Sequence, residues 1–114
     1  MRNGHYIVLR YIVMRNNDPQ LLILSSLAEG PKHGYAITLD VLEMAGVKLG
    51  PGTLYGALSR LESRGLVEPL DSDDRRRPYR LTPSGQQALR EQLTALQRVA
   101  STGLARLAAK AAGA

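Results

Sequence analysis

The sequence predicts a mainly α chain carrying one small β-hairpin, and three observations lead there. Leu54, Leu58 and Leu61 recur at i, i+4 and i+7 between Pro51 and Gly65, the punctuation of an amphipathic helix. Asp71-Ser72-Asp73-Asp74 is a cluster of turn formers between two runs of strand length, Leu66–Leu70 and Pro78–Thr82. From Leu89 onward a narrow apolar stripe continues for several turns, more than a helix sustains without a partner.

Each element can be justified in order. Residues 1–17 form an N-terminal extension mixing Arg, Asn and apolar side chains. Within it, His5–Met14 fits neither the helical nor the strand period, so a short helix and an extended segment both stay open. Asp18 is placed to cap the first helix, with Pro19 in its first turn. Leu21, Leu22, Leu24 and Leu27 are its apolar part, and Gly30-Pro31 ends it. The second helix runs from His33 to about Ala45. Tyr35, Ile37, Leu39, Val41, Leu42 and Met44 exceed one narrow stripe, which predicts burial on two sides with Tyr35 in the core. Gly46 is its stop, and Val47-Lys48-Leu49 is a connector able to pair as a strand.

The third helix turns Leu54, Leu58 and Leu61 inward. Thr53, Gly56, Ser59, Arg60, Ser63 and Arg64 fall mostly on its other faces. In the hairpin, Tyr79 and Leu81 share one face and Arg80 takes the other, while Pro69 and Pro78 suit edge positions. Two starts remain open for the last helix: Thr82 as cap with Pro83 behind it, or a capping box of Ser84 and Gln87. Leu89, Leu93, Leu96, Ala100, Gly103 and Leu107 approximate a seam of coiled-coil type. The Ala-rich end after Leu107 is expected to fray.

Bulk properties narrow the function. A chain of 114 residues fits one domain, with a modest core that gains from dimerising. Hydrophobic residues make up 44%, enough to fold. A net charge of +5 suits a polyanionic partner. The absence of cysteine excludes disulfides, thiol catalysis and thiolate metal sites. No apolar run reaches membrane-spanning length. Arg10 breaks the run Tyr6-Ile7-Val8-Leu9 with no cleavage signal behind it, so a cytoplasmic protein is expected. Catalysis is not expected either, nor any cofactor or metal. His5 and His33 form no ligand spacing, Gly50-Pro51-Gly52-Thr53 lacks the Gly-Lys-Ser/Thr ending of a phosphate loop, and Asp71, Asp73 and Asp74 lack the rest of a calcium loop.

Three helices, a hairpin and a long helix together suggest a winged helix-turn-helix plus a long C-terminal dimerisation helix. A helix with a polar outer face fits the major groove, and a basic hairpin beside it can hold phosphates. The segment from Leu49-Gly50-Pro51-Gly52-Thr53-Leu54-Tyr55 to Leu61-Glu62-Ser63-Arg64-Gly65-Leu66-Val67 resembles the recognition helix and first wing strand of the PadR family. Leu27-Ala28-Glu29-Gly30-Pro31-Lys32-His33-Gly34-Tyr35-Ala36-Ile37 resembles the family's turn into the second helix, and Arg77-Pro78-Tyr79-Arg80-Leu81-Thr82-Pro83-Ser84-Gly85 its second wing strand and following helix start. These motifs cover roughly residues 20–86. The resemblance, to the smaller subgroup with a single C-terminal helix, implies a transcription regulator, by family default a repressor. It further implies an inverted-repeat operator in double-stranded DNA, bound as a homodimer, with a possible small-molecule effector. The divisions that follow are the extension 1–17, a DNA-binding domain 18–82 and a dimerisation helix 83–114. The sequence departs from the family pattern at Gly50, where Ser or Thr is usual, at Gly56, where Pro is usual, and at Asp73-Asp74, where the wing usually has Gly.

Candidate residues follow. Arg75, Arg76 and Arg77 are the expected phosphate clamp, against the alternative of a solvated charge run. Arg60 is set to read guanine or bind phosphate, with pairing to Glu62 or Glu68 as its alternative, and Arg64 follows one turn later. Thr53 at the helix start serves contact or capping, Tyr55 meets DNA or closes the core edge, and Ser59 faces the groove. Lys32 is expected to touch the DNA backbone, and His33 to cap or pack. Tyr79 is expected to pack the wing on the third helix. Dimerisation is assigned to Leu89, Leu93, Leu96, Ala100 and Leu107. Without Trp or Phe, an aromatic sandwich for flat effectors has little material beyond Tyr6 and Tyr11. Two rivals stand beside this reading: a winged-helix protein-interaction module that has lost DNA binding, and a sequence-tolerant nucleoid binder. The basic run Arg75–Arg77 argues against the first, and salt-sensitive binding without site preference would mark the second.

Overall fold

The computed structural model describes residues 18–72 and 77–113, so Asp73, Asp74, Arg75 and Arg76 lie outside the described residues, as do Tyr6, Tyr11 and the whole extension. The described elements are α1 (Pro19–Leu27), α2 (Gly34–Ala45), α3 (Pro51–Ser63), β1 (Val67–Pro69), β2 (Tyr79–Leu81) and α4 (Pro83–Gly113). This is the helix, helix, helix, hairpin, long-helix order of a winged helix-turn-helix. Among the described residues no helix is long and apolar enough to cross a membrane.

Local chemistry accounts for the helix ends. The Asp18 carboxylate accepts the Leu21 N–H at 3.2 Å, with Pro19 behind it in the first turn. Gly46 closes α2 at a φ of 69° and Gly65 follows α3 at 72°, both left-handed positions that glycine takes without strain. Of the two possible starts for α4, the Thr82 cap is the one formed: its hydroxyl accepts the Gly85 N–H at 3.0 Å, with Pro83 first in the helix.

The core centres on α1, not α2. Leu21, Leu22, Ile23, Leu24 and Leu27 are all buried, because α2, α3, α4 and β2 all pack around this short helix. In α2, Ile37, Val41 and Ala45 go inward, but Leu39 and Leu42 are exposed and Tyr35 is 72% exposed. The expected two-sided burial of α2, with Tyr35 in the core, is therefore corrected: one face of this helix meets the core. Val47-Lys48-Leu49 forms no strand. α4 is helical to Gly113, through the Ala-rich end after Leu107, in keeping with the high helix propensity of its alanines.

The hairpin is antiparallel, with Val67 opposite Leu81, Glu68 opposite Arg80 and Pro69 opposite Tyr79. Arg80 and Glu68 form a cross-strand ion pair at 2.9 Å on the outer face. A bridge from Lys32 to Tyr79 adds a third backbone segment at the edge of β2.

Candidate nucleic-acid interface

The outer side of α3 follows from its period. With Leu54, Ala57, Leu58 and Leu61 buried, Thr53, Ser59 and Arg60 are turned to solvent. Gly56 lies within this strip and leaves it bare of side chain; a Cβ there would meet the Arg60 guanidinium at 3.7 Å, so Arg60 lies back along the helix. Among the described residues no acidic side chain pairs with Arg60. Glu68, one partner considered for it, is taken by Arg80. Arg64 caps the far end of α3 and donates to the Gln20 side chain at 2.6 Å, which joins it to the start of α1.

For Tyr55 the structure shows packing at the core edge. The residue is half exposed, yet its ring lies over the start of α2, where a Cβ on the buried Gly34 would come within 2.9 Å of its Cζ. Its hydroxyl lies against Gly34, and glycine there makes room for it.

The wing lies against this helix through β1, and Tyr79 of β2 packs partly on the core. Burial pushes the Tyr79 phenol above its ordinary range; Glu62 and Tyr55 act in the same direction and Arg77 opposes them. The cluster brings Tyr55 and Glu62 of α3 together with Arg77 and Tyr79 of the wing. Arg77 itself is exposed. Because Tyr79 holds its proton to higher pH when folded than when unfolded, its contribution to stability is complete below the unfolded value of 10.0 and is lost as pH rises through the folded one. Thermal melts from about pH 9 to 11.5 should show a steeper alkaline loss for the unaltered chain than for Tyr79→Phe; parallel curves would remove the assigned cause.

Two expectations are corrected. Lys32 does not present its charge to a groove. Its side chain is 14% exposed, bonded to the Ser26 carbonyl and ion-paired with Glu29 and Asp40. The sequence reading also missed the backbone pairing of Lys32 with Tyr79, because a one-residue bridge leaves no periodic signal. Leu89, assigned to dimerisation, is 5% exposed in the domain's own core. α4 lies against α1 and β2 there, and the first turns of its stripe are spent on that contact. Farther along, Leu96 packs partly on the core and Ala100 is buried, while Leu93 and Leu107 are exposed. Val99, one position off the heptad stripe, is also exposed. His33 takes the cap position of α2 without a side-chain cap bond, and among the described residues its buried Nδ1 has no partner.

Beside α4 lies an open groove of about 340 Å³, floored by Ala28, Leu81, Leu89 and Leu93 and edged by Arg90 and Thr94.

Known proteins share this arrangement. The family model described as the transcriptional regulator PadR-like family matches residues 23–91. The transcriptional regulator Rv3488 of Mycobacterium tuberculosis is 43% identical over 84 residues, 71% of this chain and 78% of that protein. An uncharacterized 37.1 kDa protein in a Streptomyces fradiae transposon is 49% identical over 86 residues, 75% of this chain but 25% of that protein's length. The crystal structure of a PadR family transcription regulator from Clostridium difficile aligns with a TM-score of 0.70 at 29% identity, covering 78% of this chain and 97% of that one. With its family match spanning more than half of its length, the chain belongs to the PadR-like family of transcriptional regulators.

Proposed function

We propose that the chain is a sequence-specific DNA-binding regulator, a repressor acting as a homodimer on an inverted repeat. The observation that carries this reading is the outward polar strip of α3, Thr53, Ser59 and Arg60, standing beside a wing whose Arg77 is free of acidic partners among the described residues. α3 enters the major groove in this reading, with Arg60 and Ser59 toward base edges and the bare Gly56 allowing close approach. Arg75, Arg76 and Arg77 hold phosphates. Arg64 and Tyr55 sit at the margins, and the start of α3 at Thr53 offers backbone N–H groups to a phosphate.

The second copy packs along the distal part of α4, with Leu93, Leu96 and Leu107 at the seam; Ala100, buried within the single chain, takes no part in it. Exposure of Leu93 and Leu107 on a helix of 31 residues supports this. Leu93→Asp combined with Leu107→Asp alters side chains outside the monomer's core. It should give folded monomers by sedimentation and, with two half-sites no longer linked, lose operator affinity by on the order of 10²-fold or more. A double variant that remains dimeric would misplace the seam. A small-molecule effector filling the groove beside α4 would touch Leu81 of the wing and Leu93 of the seam together, a position suited to releasing DNA.

The decisive experiment is titration of DNA from just upstream of the protein's own gene against scrambled DNA at several salt concentrations. A preference of about 10³ or more, with a dimer on an inverted repeat, supports a specific regulator. Salt-sensitive binding without preference replaces it with a nucleoid binder, and no binding at low salt removes DNA from the function.

A further inference from the structure

Lys32 is held by several parts of the fold at once. Its backbone N–H donates to the Tyr79 carbonyl at 3.0 Å, and its own carbonyl accepts the Tyr79 N–H at 2.9 Å, which ties it to β2. Its ammonium donates to the Ser26 carbonyl in the last turn of α1, where a cation also meets the negative end of the helix. The same ammonium pairs with Glu29 in the turn and, at 3.3 Å, with Asp40 of α2. Glu29 is largely solvated at 69% exposure, whereas Asp40 is 33% exposed, so Asp40 is the interior partner.

We propose that Lys32 is a positioning residue for DNA binding: its partly buried ammonium, held by the Ser26 carbonyl and Asp40, fixes the turn before α2, and its backbone then fixes where the wing stands relative to α3. The inference rests on the DNA-binding reading above. The hairpin has three residues per strand, and a two-stranded ribbon of that size does not hold its own position in water. It is oriented by what it leans on. Tyr79 faces Pro69 across the hairpin, while its backbone N–H and carbonyl both pair with Lys32 on the other edge, and Arg77 lies two residues before it. Loss of the ammonium leaves the apolar packing of Leu27, Ile37 and Val41 in place, so the domain persists while the edge of the wing loosens.

The test is Lys32→Met, which keeps the stem and removes the charge, measured in the full chain on a labelled duplex spanning the DNA just upstream of the protein's own coding sequence. Asp40→Asn is the second variant, should the first fold poorly. Each is made alone and in an Arg75→Ala/Arg76→Ala/Arg77→Ala background, with melts confirming folded protein at the assay temperature. Alone, each should lower affinity about 5- to 10-fold and reduce the salt slope by about 1, as a phosphate contact is lost. In the triple-alanine background each should cost less than about 2-fold, since the contacts being positioned are already gone. Full affinity in both folded variants, or the same loss in both backgrounds, overturns the positioning role and leaves DNA binding intact. An unaltered chain that binds neither this duplex nor unrelated DNA at low salt overturns the DNA-binding reading and this inference with it.

Discussion

Replacing Arg75, Arg76 and Arg77 together with alanine should weaken DNA binding about 100-fold at moderate salt, by nearly the same factor on every sequence. Phosphate contacts carry affinity without sequence information, and each releases condensed counterions. Three lost contacts at ~0.9 each reduce the slope of log affinity against log salt by about 2.7. Arg77 anchors this expectation in the fold: it is exposed and lies two residues before Tyr79, which packs partly on the core. Titrations of the triple variant on cognate and scrambled duplexes at several salt concentrations measure both quantities. Unchanged affinity would take the wing out of the mechanism. A loss confined to the cognate site would instead make these arginines base readers, most simply in the minor groove.

Gly85→Ala should produce the largest stability loss among single small substitutions in the described residues. Gly85 is buried in the first turn of α4, pressed against the backbone of β1's approach. A Cβ there overlaps the Leu66 carbonyl oxygen and lies 2.9 Å from the Leu66 carbonyl carbon. That oxygen also accepts the Thr82 N–H at 3.1 Å, and the Thr82 hydroxyl bonds the Gly65 carbonyl at 2.6 Å. One methyl group therefore forces the start of α4 away from the joint that attaches it to the wing. Overpacking against backbone costs about 2–3 kcal/mol, which lowers the melting temperature of a domain this size by on the order of 10–20 °C. Gly52→Ala is the matched control: Gly52 is exposed in α3 with nothing within 4 Å of an added Cβ, and helix propensity favours alanine there by up to about 1 kcal/mol. Equal melting temperatures for Gly85→Ala and the unaltered chain would show that the joint relaxes without cost.

The same joint illustrates what was hidden in the sequence. Thr82 and Ser84 are both competent caps, and residue type does not choose between them. The choice falls to Thr82 because its hydroxyl also reaches Gly65 across the hairpin, a contact between residues far apart in the chain. Leu89 similarly reads as the first member of a continuous seam, yet α4 spends that turn on its own domain and leaves Leu93 and Leu107 exposed. In α2, hydrophobicity alone put Tyr35, Leu39 and Leu42 inside with Ile37 and Val41, and the structure separates them by face. Ile23, absent from the predicted apolar set of α1, is wholly buried because α1 is surrounded.

The sequence by itself determined the order of elements, the caps and stops of the first three helices and the outward set Thr53, Ser59 and Arg60. These depend on hydrogen bonds, backbone conformations and periodicity that act within about four residues: Asp18 on Leu21, Gly46 and Gly65 at positive φ, leucines one turn apart. Its motifs also carried the family resemblance. Only the tertiary structure decided that the Lys32 ammonium turns inward to Ser26 and Asp40, that its backbone borders the wing, and that Tyr55 rests over Gly34. Each of these joins segments whose distance in the chain says nothing of their distance in space. A lysine is equally at home in water or in a closed ion pair, so its chemistry alone cannot choose; the carboxylate and carbonyl that the fold brings to it do.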